Sequence, residues 1–266
     1  MKYLLLIFLA FACKNSKPAN ELRGKSQKIQ RIKKTDLIKE RLNGKVKAVV
    51  EYTYGTRNKA DKNGEIQKGQ PYDTIVSKFD EKGNRLESTQ NKSYSLSIVR
   101  TKYIYNNKGY LIESIGYLSD NSLGYKQTLK YDSSGNPIEE KYQGTHPDIK
   151  RTRIFKYDDA GNKIEEFTDT IGGCIWYKMA YKYDANGNMI EWRTYYCKDT
   201  FVDKATFIYD NENRLIEMDG YNRKSLVETR QIRKHSHYDK YKNPLREDVL
   251  INGKATSITQ REIEYY

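Results

Sequence analysis

Long apolar runs are what this 266-residue chain most conspicuously lacks. Mean hydropathy is −0.92, only 37% of residues are hydrophobic and 31% are charged. A bundle of membrane-spanning helices is therefore excluded, because each span needs about 20 consecutive apolar residues. Proline is scarce at five residues, and glycine numbers only 17, so the chain is not a fibrous low-complexity polymer. Histidine and cysteine occur three times each. No nucleophile elbow, phosphate-cradling loop or HExxH segment occurs. What the chain does contain is aromatic: 24 Tyr, 7 Phe and 2 Trp, far too many for a solvated coil. A folded, aromatic-rich β protein is the class that remains.

The first thirteen residues read as an address. Met1-Lys2-Tyr3 precedes the short apolar run Leu4 to Ala12, and Cys13 follows directly. The run is too short to cross a bilayer and fits a secretion signal. A small residue placed immediately before cysteine resembles a bacterial lipoprotein signal. That resemblance implies removal of residues 1–12, a diacylated Cys13 as the first mature residue, and attachment to a membrane through it. Lys14 in place of Asp implies sorting to the outer membrane. A plain signal peptide cleaved nearby is the alternative.

Formal net charge is +13, and its distribution decides its meaning. Residues 14–42 carry ten Lys or Arg against three acidic residues, a surplus of +7. Residues 13–34 thus read as a basic, flexible tether, which beside a lipid anchor would favour anionic headgroups. Residues 35–43 predict a short helix, with Thr35 as N-cap and Gly44 ending it. Nucleic acid is not an expected partner, because the basicity is not on the folded part.

The body, residues 44–266, repeats. Phe79-Asp80, Tyr105-Asn106, Tyr131-Asp132, Tyr157-Asp158, Tyr183-Asp184 and Tyr209-Asp210 recur with a fixed 26-residue period, and Tyr238-Asp239 follows after a slightly longer interval. Gly stands four residues after the aromatic in the first five units, usually followed by Asn. Seven residues after it stands a branched aliphatic, Leu86, Ile112, Ile138, Ile164, Ile190, Ile216 or Leu245, followed by Glu in six of the seven. A fixed period of this length marks a repeated supersecondary unit. Residues alternate before and after each Asp-x-x-Gly, so the unit is a β-hairpin whose Asp bonds nearby N–H groups and whose Gly takes positive φ. The fold class is all-β: antiparallel hairpins in an elongated, twisted or partly curled meander. Residues 44–54 form its first strand and 261–266 its last. Stacking places the tyrosine pairs and the aliphatic column together on one core face.

A four-residue loop at Asp184–Gly187 would set Tyr183 opposite Asn188 and Tyr181 opposite Ile190, an aromatic against a β-branched partner. The same register places Cys174 opposite Cys197, and in an oxidising compartment they form a disulfide; two free thiols on neighbouring strands are the alternative.

The Tyr-Asp-x-x-Gly-Asn segments at Tyr131, Tyr157 and Tyr183 resemble the YD-repeat (Rhs-type) family over about residues 75–250. The opening Leu42 to Tyr52 is similar to the start of repeat lipoproteins of Bacteroidetes-like bacteria. The family resemblance implies hairpins winding into a spiral or shell, at the cell surface or secreted. Seven units are too few for a closed cocoon, so toxin delivery is not expected.

Candidate chemistry is sparse. His235 and His237 alternate on one strand without a third ligand nearby, so no metal or other cofactor is expected. Glu87, Glu113, Glu139, Glu165, Glu191 and Glu217 recur about 10 Å apart, too far for a glycosidase pair or a single metal. Together with Lys78, Lys130, Lys156 and Lys182 they read as a solvated face. Tyr117, Tyr195 and Tyr221 stand twelve residues after the repeat aromatic, and Trp176 falls opposite Tyr195. Such a row of aromatics suits stacking on sugar rings or a partner protein, unless the sheet curls and buries it. The expected function is non-enzymatic: an envelope-anchored protein, periplasmic or surface-exposed, binding glycan or protein. The alternative is a structural or assembly factor of the envelope that self-associates through sheet edges.

Overall fold

The computed structural model describes residues 35–60, 66–92, 99–146, 148–170, 177–196 and 199–266. Cys13, Cys174, Trp176 and Cys197 lie outside these residues, so the expected lipidation, disulfide and indole contact do as well. Among the described residues there is one helix, α1 (Asp36–Lys39), and sixteen strands. The first eight are β1 (Val46–Ala60), β2 (Ile66–Phe79), β3 (Arg85–Lys92), β4 (Arg100–Tyr105), β5 (Leu111–Tyr117), β6 (Leu123–Tyr131), β7 (Pro137–Gly144) and β8 (Lys150–Tyr157). The rest are β9 (Lys163–Thr170), β10 (Tyr177–Tyr183), β11 (Met189–Tyr196), β12 (Thr200–Tyr209), β13 (Leu215–Tyr221), β14 (Val227–Tyr238), β15 (Pro244–Ile251) and β16 (Lys254–Tyr265).

Every strand pairs antiparallel with its sequence neighbours, and β1 pairs with β16, from Val46 against Tyr265 to Gly55 against Ser257. The all-β meander is thus a complete barrel rather than a partly curled sheet. Sixteen strands at about 4.8 Å each give a circumference of about 77 Å, enough to bend round without strain. Closure also removes free sheet edges. The edge-to-edge self-association expected for an assembly factor has no strand to use among the described residues.

The repeat motif accounts for each hairpin. In the turn after β6, the Asp132 N–H donates to the Asn136 carbonyl, and the N–H of Gly135 donates back to the Asp132 carbonyl. One Asp132 carboxylate oxygen accepts from the N–H groups of Ser134 and Asn136, and the other accepts the Asn136 side-chain amide. Gly135 sits at φ +84, a conformation that costs glycine little. The same bonds close the turns at Asp80, Asp158, Asp184 and Asp239.

The register differs from the expected one. Tyr183 pairs with Met189, Lys182 with Glu191 and Tyr181 with Trp192. The turn is closed by the Asp184–Asn188 pair, so the loop holds three residues, 185–187, one fewer than expected, and a β-bulge then adds one residue to the return strand. Ile190 is the extra residue of that bulge. The same irregularity leaves Leu86, Ile112, Ile138, Ile164 and Ile216 unmatched in their hairpins. A bulge turns its two residues toward one side, so the aliphatic column shares the outer face with the glutamates instead of the core. Leu86 is 47% exposed and Ile190 36%. The pairing that motivated the Cys174–Cys197 bridge is therefore not the one this hairpin adopts.

The tyrosines do face inward. The hydroxyls of Tyr105, Tyr131, Tyr157, Tyr183 and Tyr209 each donate to a backbone carbonyl 20 residues earlier, those of Arg85, Leu111, Pro137, Lys163 and Met189. A hydroxyl thus ties each hairpin to its predecessor. His235, one repeat period after Tyr209, takes this role in the next unit through Nε2 and the Leu215 carbonyl at 3.0 Å. His237 does not join it; it lies exposed at φ +53.

The segment from Thr35 to Asn43 plugs one mouth. Thr35 caps α1 as expected, but the helix ends at Lys39, and Arg41 takes φ +57 so that the Leu42 N–H returns to the Leu37 carbonyl at 2.9 Å. Asp36 accepts from Tyr105 at 2.6 Å and from the Arg85 N–H at 2.9 Å. Glu40 pairs with Arg85. Arg41 donates to Asn188 and lies over the Tyr209 ring. The Asn43 N–H donates to Asn243. These partners belong to β2–β4, β10–β12 and β14–β15, on several sides of one rim, so the segment spans the opening. Beneath it Leu37, Val46, Val49 and Phe79 form the apolar core.

Candidate functional site: the barrel interior and the outer tyrosines

Alternation along the strands sorts side chains into an inner and an outer set, and the inner set is largely polar. Ser77, Thr101, Ser114, Glu140, Glu166 and Thr194 are all buried. On the β7–β10 wall the Arg153 guanidinium bridges Glu140 and Glu166, at 2.7 and 3.1 Å. Lys163 donates to Glu166 at 2.6 Å, and the Tyr181 hydroxyl donates to it at 3.0 Å. Burial alone would raise the Glu166 pKa, but Lys163, Arg153 and Tyr181 together hold it below the usual carboxylate value. The network is a balanced structural set: two carboxylates, two cations and a hydroxyl, every charge opposed. It leaves no isolated acid or base for proton transfer.

The opposite wall is different. A cavity of about 350 Å³ is lined by residues of β1 to β4 and by Tyr125. The Ser88 and Tyr103 hydroxyls lie 3.1 Å apart, and those of Thr101 and Tyr125 lie 3.2 Å apart. Gly116 is required here, because a Cβ at that position would overlap the Tyr125 ring. Gln90 donates to one oxygen of Asp73 at 2.7 Å, while the other oxygen of Asp73 is buried without a hydrogen-bond partner, as is Nε of Arg85. Nothing in the sequence signals this site, because its serines and threonine come from different hairpins and carry no shared motif.

The outer face carries the glutamate rows. Lys78 meets Glu87 at 3.8 Å, Lys126 meets Glu113 at 2.7 Å, Lys130 meets Glu139 at 2.8 Å, Lys156 meets Glu165 at 2.9 Å and Lys182 meets Glu191 at 3.0 Å. The expected solvated face is present, with these five glutamates each held by a lysine one strand away and Glu217 by Arg230 at 3.4 Å.

Tyr117, Tyr195 and Tyr221 stand on this outer face, half-buried, and each ring is covered by the cation opposite. Arg100 lies 4.8 Å from the Tyr117 centroid, Lys178 5.2 Å from Tyr195 and Lys204 4.4 Å from Tyr221. Tyr195 also meets Phe201 edge-on at 6.1 Å. The structure brings Tyr195 on β11 and Tyr221 on β13 within two strands of each other, about 10 Å. Tyr117 on β5 is six strands away from Tyr195, and the intervening equivalents are Gln143 and Asp169. The expected row is thus a pair plus one distant residue, with ring faces already occupied by cations.

No family model matches the chain. No curated protein matches it in sequence. Among solved structures, it is similar to a porin-like protein from Bacteroides uniformis, with a TM-score of 0.54 at 11% identity, over 82% of this chain and 98% of that one. A TcdB2-TccC3-Cdc42 complex is also similar, at 12% identity and a TM-score of 0.29, with 77% of this chain matching 15% of that one. What the first of these likenesses shows is the barrel fold.

Proposed function

We propose that this chain is an envelope protein held to a membrane through diacylated Cys13, whose barrel stands in water and acts by binding rather than by catalysis. The observation that carries this reading is the sidedness of the wall. A barrel that spans a membrane presents an apolar band about 25 Å tall, and each lysine at mid-depth costs it about 2–4 kcal/mol. Here Lys126 on β6 and Lys141 on β7 face outward at mid-strand with glutamate partners, and Lys130, Lys156 and Lys182 do so one residue before their strands end. The wall suits water, and the membrane link is left to the N-terminal lipid and its basic tether. A plug at one mouth and polar side chains inside suit a receptacle for a ligand, glycan or protein. The balanced charge networks argue against a catalytic pair. The hairpins themselves read as YD (Rhs-type) repeats, since Tyr, Asp, Gly and Asn of the motif each have a separate structural task.

The alternative, a structural or assembly factor of the envelope, is favoured by the exposed bulge residues Leu86, Ile112, Ile138, Ile164 and Ile190, which offer an apolar surface near the plugged rim. Palmitate labelling and fractionation of wild type and Cys13→Ser test the anchor: label and membrane retention are expected in the first and absent from the second. Equal labelling of both would overturn the lipoprotein reading. Light scattering of the purified barrel separates a monomeric binder from a self-assembling factor.

A further inference from the structure

We propose that the cavity on the β1–β6 wall is a binding site for a small neutral polyhydroxylated ligand, a mono- or disaccharide. The inference rests on the binding role just put forward and names its site and ligand class. The volume of about 350 Å³ lies at the lower end of small-molecule sites and excludes a polypeptide or a long glycan.

The lining fixes the chemistry. Ser77, Ser88, Thr101 and Tyr125 present hydroxyl groups, and Gln90 adds an amide. Each hydroxyl both donates and accepts, so the Ser88–Tyr103 and Thr101–Tyr125 pairs retain capacity for a third group. A sugar hydroxyl has the same dual character. Two lining residues, Arg85 and Arg100, have buried Nε donors without a partner, and Asp73, which the lining Gln90 holds through one oxygen, has an unsatisfied acceptor in the other. A ligand that carries donors and acceptors on adjacent atoms answers both kinds, whereas a simple anion answers only the donors and a cation only the acceptor. Leaving such groups buried and unbonded costs about 1–3 kcal/mol each.

Charge balance argues for a neutral ligand. Glu51 on the cavity wall is paired with Arg261 at 2.8 Å, Arg85 is paired with Glu40 of the plug, and the Arg100 guanidinium is drawn outward over the Tyr117 ring at 4.8 Å. Tyr125 packs over Gly116 and stacks on Tyr142 at 5.5 Å between centroids, so it is held rigidly and offers the cavity its hydroxyl. The plug completes the site, because it holds Arg85 through both Glu40 and the Asp36 bond to the Arg85 N–H.

The test is calorimetry and thermal shift on the full chain in mild detergent, with a panel of glucose, galactose, N-acetylglucosamine, maltose and cellobiose, and with phosphate and citrate as charged controls. At least one sugar at about 10 mM is expected to raise the melting temperature and to give a measurable Kd. Thr101→Val, which keeps shape and removes the hydroxyl, is expected to weaken that Kd about tenfold with an unchanged circular dichroism spectrum. Ser88→Leu is expected to abolish binding by filling the cavity, and Thr101→Val keeps the proposal testable should Ser88→Leu misfold. A response to phosphate or citrate with none to sugars overturns the neutral-ligand assignment. Sugar binding unaffected by Thr101→Val and lost in Tyr195→Ala with Tyr221→Ala overturns the cavity and leaves the binding role standing. No response to any sugar overturns the proposal, while the Cys13 labelling experiment decides the envelope reading separately.

Discussion

Single residues show how one motif carries several tasks. Tyr157 is a strand residue, a wall of the interior and a donor to the Pro137 carbonyl at 2.7 Å. Burial and nearby acidic groups push its hydroxyl well above the usual phenol value and that of Tyr131 up to about 12, so the ladder remains protonated at any physiological pH. Ile164 looks more important in sequence and matters less in the fold. As the extra residue of a bulge it is 36% exposed. Ile164→Ser is therefore expected to change stability by no more than about 0.5 kcal/mol, whereas Tyr157→Phe should cost about 1 kcal/mol or more. Urea unfolding of the two variants beside wild type decides the order; a larger loss for Ile164→Ser would restore the aliphatic column to the core. The bulge was hidden because Ile164-Glu165 reads as an inside-outside pair, and nothing in two adjacent residues reveals that both turn the same way. His235 was hidden differently: the interval before Tyr238 is lengthened, so the aromatic-Asp motif no longer marks the position one period after Tyr209.

Hairpins and plug define the next scale. The turn aspartates Asp132, Asp184, Asp210 and Asp239 all have pKa values held below the ordinary carboxylate value. Burial opposes this at Asp132, Asp210 and Asp239, and is outweighed there by hydrogen bonds, chiefly from the residue four positions on at Asp132 and Asp210 and from Tyr265 and Asn243 at Asp239. At Asp184 the Asn188 side-chain bond is the largest cause. Asp36 in the plug is lowered as well, against burial, by Tyr105 and the Arg85 N–H. A depressed carboxylate stabilises the fold above its unfolded pKa near 3.8 and loses that contribution as pH falls through the lower folded value. The urea midpoint is thus expected to be flat from about pH 7 to 5 and to fall steeply below about pH 4. Asp132→Asn should flatten that fall slightly; an acid profile identical to wild type would remove the turn carboxylates as its cause. Hairpin positions were legible in sequence because Asp-x-x-Gly-Asn is a local bonding pattern. Register was not, since one pair more in the turn and one residue more in the strand shift every partner without altering the motif.

On the scale of the whole molecule, the wall carries polar or charged side chains on both of its faces. The purified chain carrying Cys13→Ser is expected to remain soluble without detergent and to add no conductance to planar bilayers, whereas stepwise conductance increments would show that the Lys–Glu rows tolerate lipid. Closure was the feature least visible in sequence: β1 and β16 meet across nearly the whole length of the chain, and long-range pairing leaves no periodic trace. The seven aligned turns gave the strand count of the repeats, but two strands with no repeat motif, 46–60 and 254–265, form the join. The polar cavity was equally hidden, because Ser77, Ser88 and Thr101 are ordinary strand residues until the sheet bends them together.

Among the described residues, the join between β1 and β16 is the one pairing of strands that are not neighbours in sequence, and it needs its two partners to run in opposite directions. Each repeat unit contributes one up-strand and one down-strand, so gene duplication or loss of a unit preserves that polarity while altering the girth by about 10 Å. A lineage of such proteins would then differ in calibre by whole units, with first and last strands unchanged.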